Sequence, residues 1–302
     1  MEATTGFEPV NTGFANPPLS HLGTSPTGSD LIGSQQKIKR ERILDEAGYP
    51  KQVLPLSAVI IARNEEDRIA DAIESVSFAD EIVVLDSGST DDTVALAKAA
   101  GAHVVETDWP GHVAQKNRAT QTATHDWVLS IDADERISPA LAEIIQAIRV
   151  NGPKADGYRF PRLSWWQNAP IRHGTWYPDC KIRLFDRRKS QWTGCDPHDQ
   201  VTVKGVVVTE KSAAIHHRPY RNLSEHIQTM ADYTQAWAES AGANGVRAHW
   251  WDLVLRPPLH FLKAYLLKVG FLDGYRGFAL AWLGSTYVFI KWLRLATNAD
   301  DR

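Results

Sequence analysis

The sequence predicts an α/β fold with a mostly parallel sheet flanked by helices, followed by a smaller lobe and an amphipathic helical C-terminal tail. Three observations support this prediction. Apolar runs alternate four times with helical patterns between residues 56 and 150, as in parallel α/β sheets. Strand-like segments between residues 157 and 208 follow one another without helices between them. The residues after 225 show helical patterns and are rich in aromatic and basic side chains.

The parallel half is predicted from four apolar runs, each of which ends near polar residues. The predicted strands are Leu56–Ala62, Glu81–Leu85, His103–Thr107 and Asp126–Ile131. Between them, apolar residues at i, i+3, i+4 and i+7 predict helices, as in the segment that begins at Ile69. Thr90 is the predicted N-cap of the second helix, and Ser138 followed by Pro139 is the predicted start of the fourth. Ligands of such sheets bind at the carboxyl ends of the strands, so the polar residues there predict a binding site.

The second half is predicted to contain strands first and helices later. The predicted strands are Gly157–Trp166, Lys181–Arg187 and Val201–Val208. Ser224 is the predicted cap of a helix over Glu225–Ser240. The tail Arg256–Arg294 has six basic residues against one acidic residue, and its longest uncharged run has 14 residues, fewer than the roughly 18–20 that a bilayer span needs.

Composition and charge exclude several classes of protein. The chain has 33 basic and 36 acidic residues and a net charge of −3, which argues against a nucleic-acid partner. Its two cysteines are too few for a disulfide framework or a four-cysteine zinc site. Neither a GxGxxG nor a GxxxxGK[ST] motif occurs, so a dinucleotide fold and a P-loop are disfavoured. Residues 1–54 are predicted to be a disordered extension, because Gly, Ser, Thr and Pro dominate its first part.

Asp132 and Asp134 follow the fourth predicted strand and are two residues apart. Carboxylates so placed can reach one site together, and Mg²⁺ or Mn²⁺ prefers such oxygen ligands while keeping positions open for phosphate oxygens. Most such pairs are solvated loop acids, but the position after a buried strand favours a metal site.

Four further residues lie where a nucleotide would bind such a sheet. Glu65 and Asp86 follow the first two strands, where acids can accept hydrogen bonds from ribose hydroxyls or a base. A turn role for Asp86 and a solvated Glu65 are the alternatives. Lys116 and Arg118 are candidates for contact with a diphosphate, the alternative being a solvated helix face.

Three ordered segments carry a resemblance to a known family. They are LSAVIIARNEEDRIADAIESV, EIVVLDSGSTDDT and WVLSIDADE. Together they resemble the nucleotide-sugar half of family 2 glycosyltransferases, which have the GT-A fold. The later segments WYPD and IRLF and the tail from Phe261 resemble lipopolysaccharide core glycosyltransferases of the heptose β-1,4-glucosyltransferase type.

The resemblance implies roles for the residues named above. It makes Asp132 and Asp134 the metal-binding pair for Mg²⁺ or Mn²⁺, with Asp134 the more direct ligand. It places Glu65 and Asp86 against a uridine nucleotide. The implied organisation is a nucleotide-sugar-binding half (55–150), an acceptor-binding and catalytic-base half (151–224) and a helical, interfacial C-terminal region (225–302).

The resemblance leaves two candidates for the catalytic base. Members of this type carry His-Glu after the Arg-Leu-Phe strand, and the corresponding pair here is His198-Asp199. Aspartate withdraws the carboxylate by one methylene, so Asp179 of the WYPD segment is the competing candidate. The base takes the proton of an acceptor hydroxyl while a metal neutralises the leaving diphosphate, and direct attack inverts the anomeric carbon.

Aromatic and histidine residues add three expectations. Trp176 is a predicted acceptor-binding residue, because aromatic rings stack on sugars, although it could instead pack the second lobe. His216 and His217 have no matching third ligand and are predicted to be structural. The basic, aromatic tail is predicted to lie on an anionic membrane surface, the alternative being helices packed on the catalytic domain.

These expectations combine into one prediction of function. We expect a metal-dependent, inverting enzyme that transfers a hexose, glucose in the first instance, from a UDP-sugar to a lipid-linked lipopolysaccharide core oligosaccharide or related cell-surface glycan. It would be cytoplasmic and peripheral on the inner face of the cytoplasmic membrane. Two alternatives are a glycosyltransferase that uses a polyprenyl phosphate acceptor and a nucleotide-sugar-binding protein that has lost turnover.

Overall fold

The computed structural model describes residues 53–195 and 198–300. The predicted disordered extension therefore lies outside the described residues, apart from Val53 and Leu54. The strands are β1 (Leu56–Ala62), β2 (Glu81–Asp86), β3 (His103–Glu106), β4 (Trp127–Asp132), β5 (Glu135–Ile137), β6 (Gly157–Trp166), β7 (Ala169–Pro170), β8 (Asp179–Asp186), β9 (Ser190–Cys195), β10 (His198–Val203), β11 (Val207–Thr209) and β12 (Ile215–His217). The helices are α1 (Ile69–Ser75), α2 (Thr93–Ala99), α3 (His112–Thr122), α4 (Pro139–Asn151), α5 (Leu223–Ala243), α6 (Trp250–Val254), α7 (Arg256–Leu262) and α8 (Gly274–Asp300). A π-helical turn (Lys263–Leu267) continues α7, and a 3₁₀ turn (Gly270–Asp273) precedes α8.

One large sheet runs in the order β3-β2-β1-β4-β8-β6-β12-β5. Strands β3, β2, β1 and β4 are parallel neighbours, as the sequence predicts. Beyond them, β8 is antiparallel to β4 and β6, while β12 is parallel to β6 and antiparallel to β5. Strands β9 and β10 form a separate hairpin. Because Ile61 of β1 pairs with Asp132 of β4, the carboxyl ends of these two strands lie side by side.

Apolar layers cover both faces of the parallel strands. On one face, α1, α2 and α4 contribute Ile73, Ala97 and Ile145 to the main core. On the other face, α3 and the β9–β10 hairpin contribute Ala119 and Trp192 to a second core. Full burial of a large aliphatic side chain contributes about 1.5–3 kcal/mol, so these layers make the strands a rigid support for the residues at their ends.

Two of the predicted helix caps are wrong. Helix α2 begins three residues after Thr90, whose backbone N–H donates to Asn64 Oδ1 at 2.8 Å and so holds Thr90 in the preceding loop. Helix α5 begins after Asn222 rather than Ser224. The Asn222 side chain accepts a hydrogen bond from the Glu225 N–H at 2.9 Å and so satisfies one of the free donors of the first turn.

One predicted cap is confirmed, and one predicted strand is divided. Ser138 accepts a 3.3 Å hydrogen bond from the Leu141 N–H at the start of α4, with Pro139 in the first turn. The predicted strand Val201–Val208 is two strands, because Gly205 turns the chain between β10 and β11 with a φ of 143°. A side chain at Gly205 would collide with Asp156, so glycine is required there.

The C-terminal helices pack against one another. Helices α5 and α8 share a small core that contains Ala238, Ala241, Trp292 and Leu295. The Trp292 ring lies 5.1 Å from the ring of Trp237. Within the described chain, no helix combines the length and the apolar character that crossing a bilayer requires.

Candidate active site

An open cleft of about 960 Å³ lies at the carboxyl ends of β1 and β4. The β9–β10 hairpin and the segment from β12 into α5 contribute residues to its walls. The residues predicted from sequence that line this cleft are Glu65, Lys116, Asp132, Asp134 and Asp199. The parallel topology therefore brings together side chains that are far apart along the chain.

Asp132, the last residue of β4, is held by cations from two other elements. Its Oδ2 lies 2.6 Å from a guanidinium nitrogen of Arg183 on β8, and its Oδ1 lies 2.9 Å from Lys116 Nζ on α3. Lys116 Nζ also donates to Asp199 Oδ2 on β10 at 2.8 Å. Lys116 thus links one acid of the predicted metal site to the predicted catalytic base.

A buried ion pair supports this arrangement. Arg183 also donates to Glu135 Oε1 at 2.6 Å, and both side chains are almost completely buried. The Trp192 ring centroid lies 4.7 Å from Lys116 Nζ and 5.7 Å from the Arg183 guanidinium carbon, within range of cation–π attraction. These contacts fix the positions of Lys116 and Arg183 from several sides.

The cations determine the charge of Asp132. Burial by itself would raise the pKa of Asp132, but the attraction of Arg183 and Lys116 is larger and holds that pKa far below its usual range. Burial likewise lowers the pKa of Arg183, but Asp132 and Glu135 raise that pKa above its usual value. The pair is therefore ionised at neutral pH.

Asp134 has a histidine as its partner. His217 Nε2, at the end of β12, lies 3.2 Å from Asp134 Oδ2, and His217 Nδ1 lies 3.0 Å from Ser164 Oγ. Burial raises the pKa of Asp134, but His217 outweighs that effect and lowers the pKa overall. The sequence analysis treats His217 as structural; the three-residue strand β12, which was not predicted, carries His217 next to Asp134 by pairing with β5 and β6.

Glu65 lines the same cleft on the opposite side of the loop after β1. Its Oε2 accepts from Arg221 at 2.9 Å and lies 3.7 Å from Arg68. Burial nevertheless outweighs both arginines and raises the pKa of Glu65 to about 7. This carboxylate therefore changes its charge near neutral pH.

Asp86 lies outside the cleft lining and organises a turn. Its side chain is buried, and its Oδ2 accepts from the backbone N–H groups of Gly88 at 3.0 Å and Ser89 at 2.8 Å. Gly88 has a φ of 77°, which glycine adopts without strain. The turn interpretation of Asp86 therefore describes its contacts, and its predicted nucleotide contact stays a prediction.

Three other predicted residues also lie outside the cleft lining. Arg118 projects from α3 to the surface, where it donates to Asp108 Oδ1 at 2.7 Å. Asp179 pairs with Arg162 at 2.5 Å and with Lys181 at 3.3 Å. Burial raises the pKa of Asp179, but those two cations more than offset the effect and lower the pKa. Trp176 lines a smaller cavity that adjoins the cleft.

The sequence analysis missed Arg183, Glu135 and Arg162, which together surround the carboxylates. Arg162 lies 3.3 Å from Glu135 and so extends the network of Asp132 and Arg183 to β6. One signal was available: Arg183 is a charged residue between apolar neighbours in a predicted strand, and a charge in that position needs a buried partner.

The described residues contain no group of three or more His, Cys, Asp or Glu side chains arranged to hold a metal ion. Asp134 and His217 form a pair, while Asp132 already faces two cations. A cation at this point would therefore take its remaining ligands from a bound substrate.

Comparison with known proteins identifies the family. Residues 57–207 match the family model described as Glycosyl transferase family 2. The chain belongs to glycosyltransferase family 2. The resemblance and the GT-A fold expected from the sequence are confirmed, with the mostly parallel sheet, its flanking helices and the C-terminal helix in place.

Two curated relatives cover most of this glycosyltransferase. It is 30% identical over 262 residues to the lipopolysaccharide core biosynthesis glycosyltransferase LpsC of Rhizobium meliloti, covering 82% of this chain and 97% of that relative. It is 33% identical to an uncharacterized glycosyltransferase of Rickettsia felis, covering 80% and 88%. Among solved structures, glucosyl-3-phosphoglycerate synthase from Mycobacterium tuberculosis with Mn²⁺, UDP-glucose and phosphoglyceric acid is 30% identical, covers 37% of this chain and 44% of that one, and has a TM-score of 0.32.

Proposed function

We propose that this family 2 glycosyltransferase transfers glucose from UDP-glucose to a hydroxyl of the lipopolysaccharide core or a related cell-surface glycan, with inversion at the anomeric carbon. The observation that carries the proposal is the convergence in one cleft of the Asp132–Asp134 pair, several cations and a separate carboxylate, Asp199. The function printed for the Rhizobium relative supports the acceptor class. The resemblance of the WYPD and IRLF segments supports glucose as the sugar.

The charge of the cleft suits a nucleoside diphosphate. Lys116, Arg162, Lys181 and Arg183 all line it. A leaving diphosphate gains negative charge as its bond to the sugar breaks, and positioned cations stabilise that charge in the transition state. Glu65 lies across the cleft from these cations and is the group that we assign to the hydrogen-bond donors of the nucleoside.

We assign a divalent metal, Mg²⁺ or Mn²⁺, to Asp134 and His217, with Asp132 beside them. The donor set fits, because Asp134 Oδ2 and His217 Nε2 both line the cleft and lie 3.2 Å apart. Ser164 beside Nδ1 can hold the tautomer that leaves the Nε2 lone pair free for a metal. When bound, the metal would supply positive charge to the diphosphate oxygens.

Asp199 is the proposed catalytic base. It lies in the cleft lining, and Lys116 holds its carboxylate at 2.8 Å. In the reaction the acceptor oxygen attacks the anomeric carbon, the bond from that carbon to the diphosphate oxygen breaks, and the hydroxyl proton passes to Asp199. Asp179 is less suited to this role, because Arg162 and Lys181 already occupy its carboxylate.

Two matched substitutions test this assignment. Asp199→Asn is expected to lower turnover by about 10²-fold or more, the usual range for loss of a general base, with unchanged affinity for UDP in calorimetry. Asp179→Asn removes the same charge within the same lobe and is expected to keep most of the activity. An inactive Asp179→Asn enzyme beside a nearly normal Asp199→Asn enzyme would move the base to the WYPD segment.

We also propose that the C-terminal helices hold the enzyme on the inner face of the cytoplasmic membrane, where it meets a lipid-linked acceptor. The apolar helical face, defined here as the exposed large apolar residues of α6 to α8, includes Leu267 at 80% exposure, Trp250 at 68% and Trp282 at 59%. Exposed Lys263 and Lys268 lie next to it along the chain. Exposed aromatic and aliphatic residues beside cations favour an anionic lipid surface.

A further inference from the structure

A second cavity, of about 240 Å³, adjoins the cleft and extends between α5, α7 and α8. Three of its lining residues, Tyr220, Thr229 and Tyr233, also line the cleft. The two spaces therefore share a wall, and a molecule in the cleft can extend into the second cavity. We call this second cavity the helical pocket.

Aromatic rings dominate one side of the helical pocket. Tyr220 stacks on His226 with ring centroids 4.1 Å apart and an angle of 13° between the planes. Trp176 meets both rings at an angle, at 6.2 Å from Tyr220 and 5.8 Å from His226. Such a surface offers flat apolar faces with polar groups at their edges, which suits a molecule that has apolar and hydroxylated sides.

The helical pocket carries no charge at neutral pH. None of its lining residues is Asp, Glu, Lys or Arg. Burial lowers the pKa of His226 to about 4 and also lowers the pKa of His260, so both imidazoles are neutral. Trp166 Nε1 donates to His226 Nδ1 at 3.2 Å, and the proton of the neutral ring is therefore on Nε2.

Gly284 of α8 sets the width of this pocket. A methyl group at this position would lie 2.7 Å from His260 Nε2, so the imidazole occupies the space that a side chain at Gly284 would need. Any larger residue there must displace His260 or fill the pocket. The pocket thus depends on a residue without a side chain, and it can be closed by one substitution.

We propose that the helical pocket binds a neutral sugar ring of the acceptor, next to the ring whose hydroxyl reacts. This inference rests on the proposed function. A diphosphate would meet no cation in the pocket, and an acyl chain would leave the tyrosine hydroxyls and the His226 Nε2–H without partners. A hexose ring can stack on Trp176 or Tyr220 and can pair its hydroxyls with those polar groups. The pocket would then select acceptors by the residue adjoining the reactive sugar.

The test uses the full-length enzyme and compares the acceptor with the donor. Trp176→Ala is expected to raise the KM for deacylated core oligosaccharide about tenfold, with the KM for UDP-glucose changed by less than about twofold. Trp176→Phe keeps an aromatic face and should recover most of the loss. Gly284→Val should raise the acceptor KM in the same way by narrowing the pocket, and thermal unfolding of each variant identifies any that is destabilised.

A binding readout separates this inference from the proposed function. Neutral methyl hexosides should give saturation-transfer NMR signals with the wild type that are lost in Gly284→Val, while calorimetry shows unchanged affinity for UDP. The inference is overturned if both Trp176→Ala and Gly284→Val leave the acceptor KM and the NMR signals unchanged, or if they raise the donor KM equally. Binding of hexosides without any sugar transfer by the wild type would instead count against the proposed function.

Discussion

Replacing Arg183 by methionine should be among the most damaging single changes to the cleft. Arg183 is 3% exposed and donates to Asp132 and to Glu135, each at 2.6 Å. Methionine fills much of the same volume but leaves a fully buried Glu135 with Arg162 at 3.3 Å as its remaining cation among the ion pairs described here. Removing one partner of a buried ion pair costs about 3–5 kcal/mol.

The lower end of that range applies here, since Arg162 and Lys116 still offset part of the charge. We therefore expect Arg183→Met to lower the free energy of unfolding by about 3 kcal/mol. At about 2–4 °C per kcal/mol, this corresponds to a decrease in Tm of roughly 6–12 °C. Urea denaturation followed by circular dichroism and a thermal scan measure both values.

Arg188 provides the matched control. It lies two residues after β8, is 60% exposed in its side chain and pairs with Asp186 and Asp126 at the surface. Such exposed pairs contribute about 0–1 kcal/mol, so Arg188→Met should leave stability nearly unchanged. Adding Glu135→Gln to Arg183→Met should restore part of the loss by removing the unpaired charge. Equal, small losses in Arg183→Met and Arg188→Met would refute the reasoning.

Two further predictions concern pH and membranes. Because burial raises the pKa of Glu65 to about 7, its carboxylate forms as the pH rises from 6 to 8; the KM for UDP-glucose should fall over that range in the wild type and stay flat in Glu65→Gln, and a flat wild-type profile would contradict this role. The wild type should sediment with anionic vesicles and be released by salt, since each cation contributes about 1 kcal/mol and is screened. Lys263→Glu with Lys268→Glu should abolish sedimentation without changing Tm, whereas Lys154→Glu with Lys211→Glu, outside the tail, should not; no sedimentation of the wild type at low salt would contradict the membrane proposal.

The structure limits which tail cations can be used for such a test. Lys291 lies 4.5 Å above the Trp237 ring, and Arg294 donates to Gln235 on α5. Changing these two would disturb the packing of α8 on α5. Net charge along the tail, read from the sequence, does not distinguish them from the exposed Lys263 and Lys268.

The parallel half could be predicted from sequence because its signals are local. Strands β1, β2 and β4 are apolar runs buried on both faces, and the Ser138-Pro139 start of α4 is a cap that needs only neighbouring residues. The later strands have no such signal. Strands β5, β11 and β12 have three residues each and form only because of partners far away in the chain.

The same distinction applies to the cleft. Asp132 and Asp134 could be predicted as site residues because they directly follow a buried strand. Arg183 reaches Glu135 across 48 positions, and His217 reaches Asp134 through the pairing of β12 with β5. Arg118 shows the opposite error, since its place on a helix does not reveal which side of α3 faces the cleft.

The most direct test of the central claim measures UDP release from UDP-glucose in the presence of lipid-linked core oligosaccharide from a host strain that lacks this gene. The account predicts release that requires Mn²⁺ or Mg²⁺, stops in excess chelator, and is abolished in Asp134→Ala without a change in Tm, because Asp134 is assigned to the metal and contributes little to packing. Mass spectrometry should show one added hexose on the oligosaccharide. Full activity in excess chelator or in Asp134→Ala would contradict the metal assignment, and UDP-glucose binding with no transfer to any core fraction would contradict the enzyme itself.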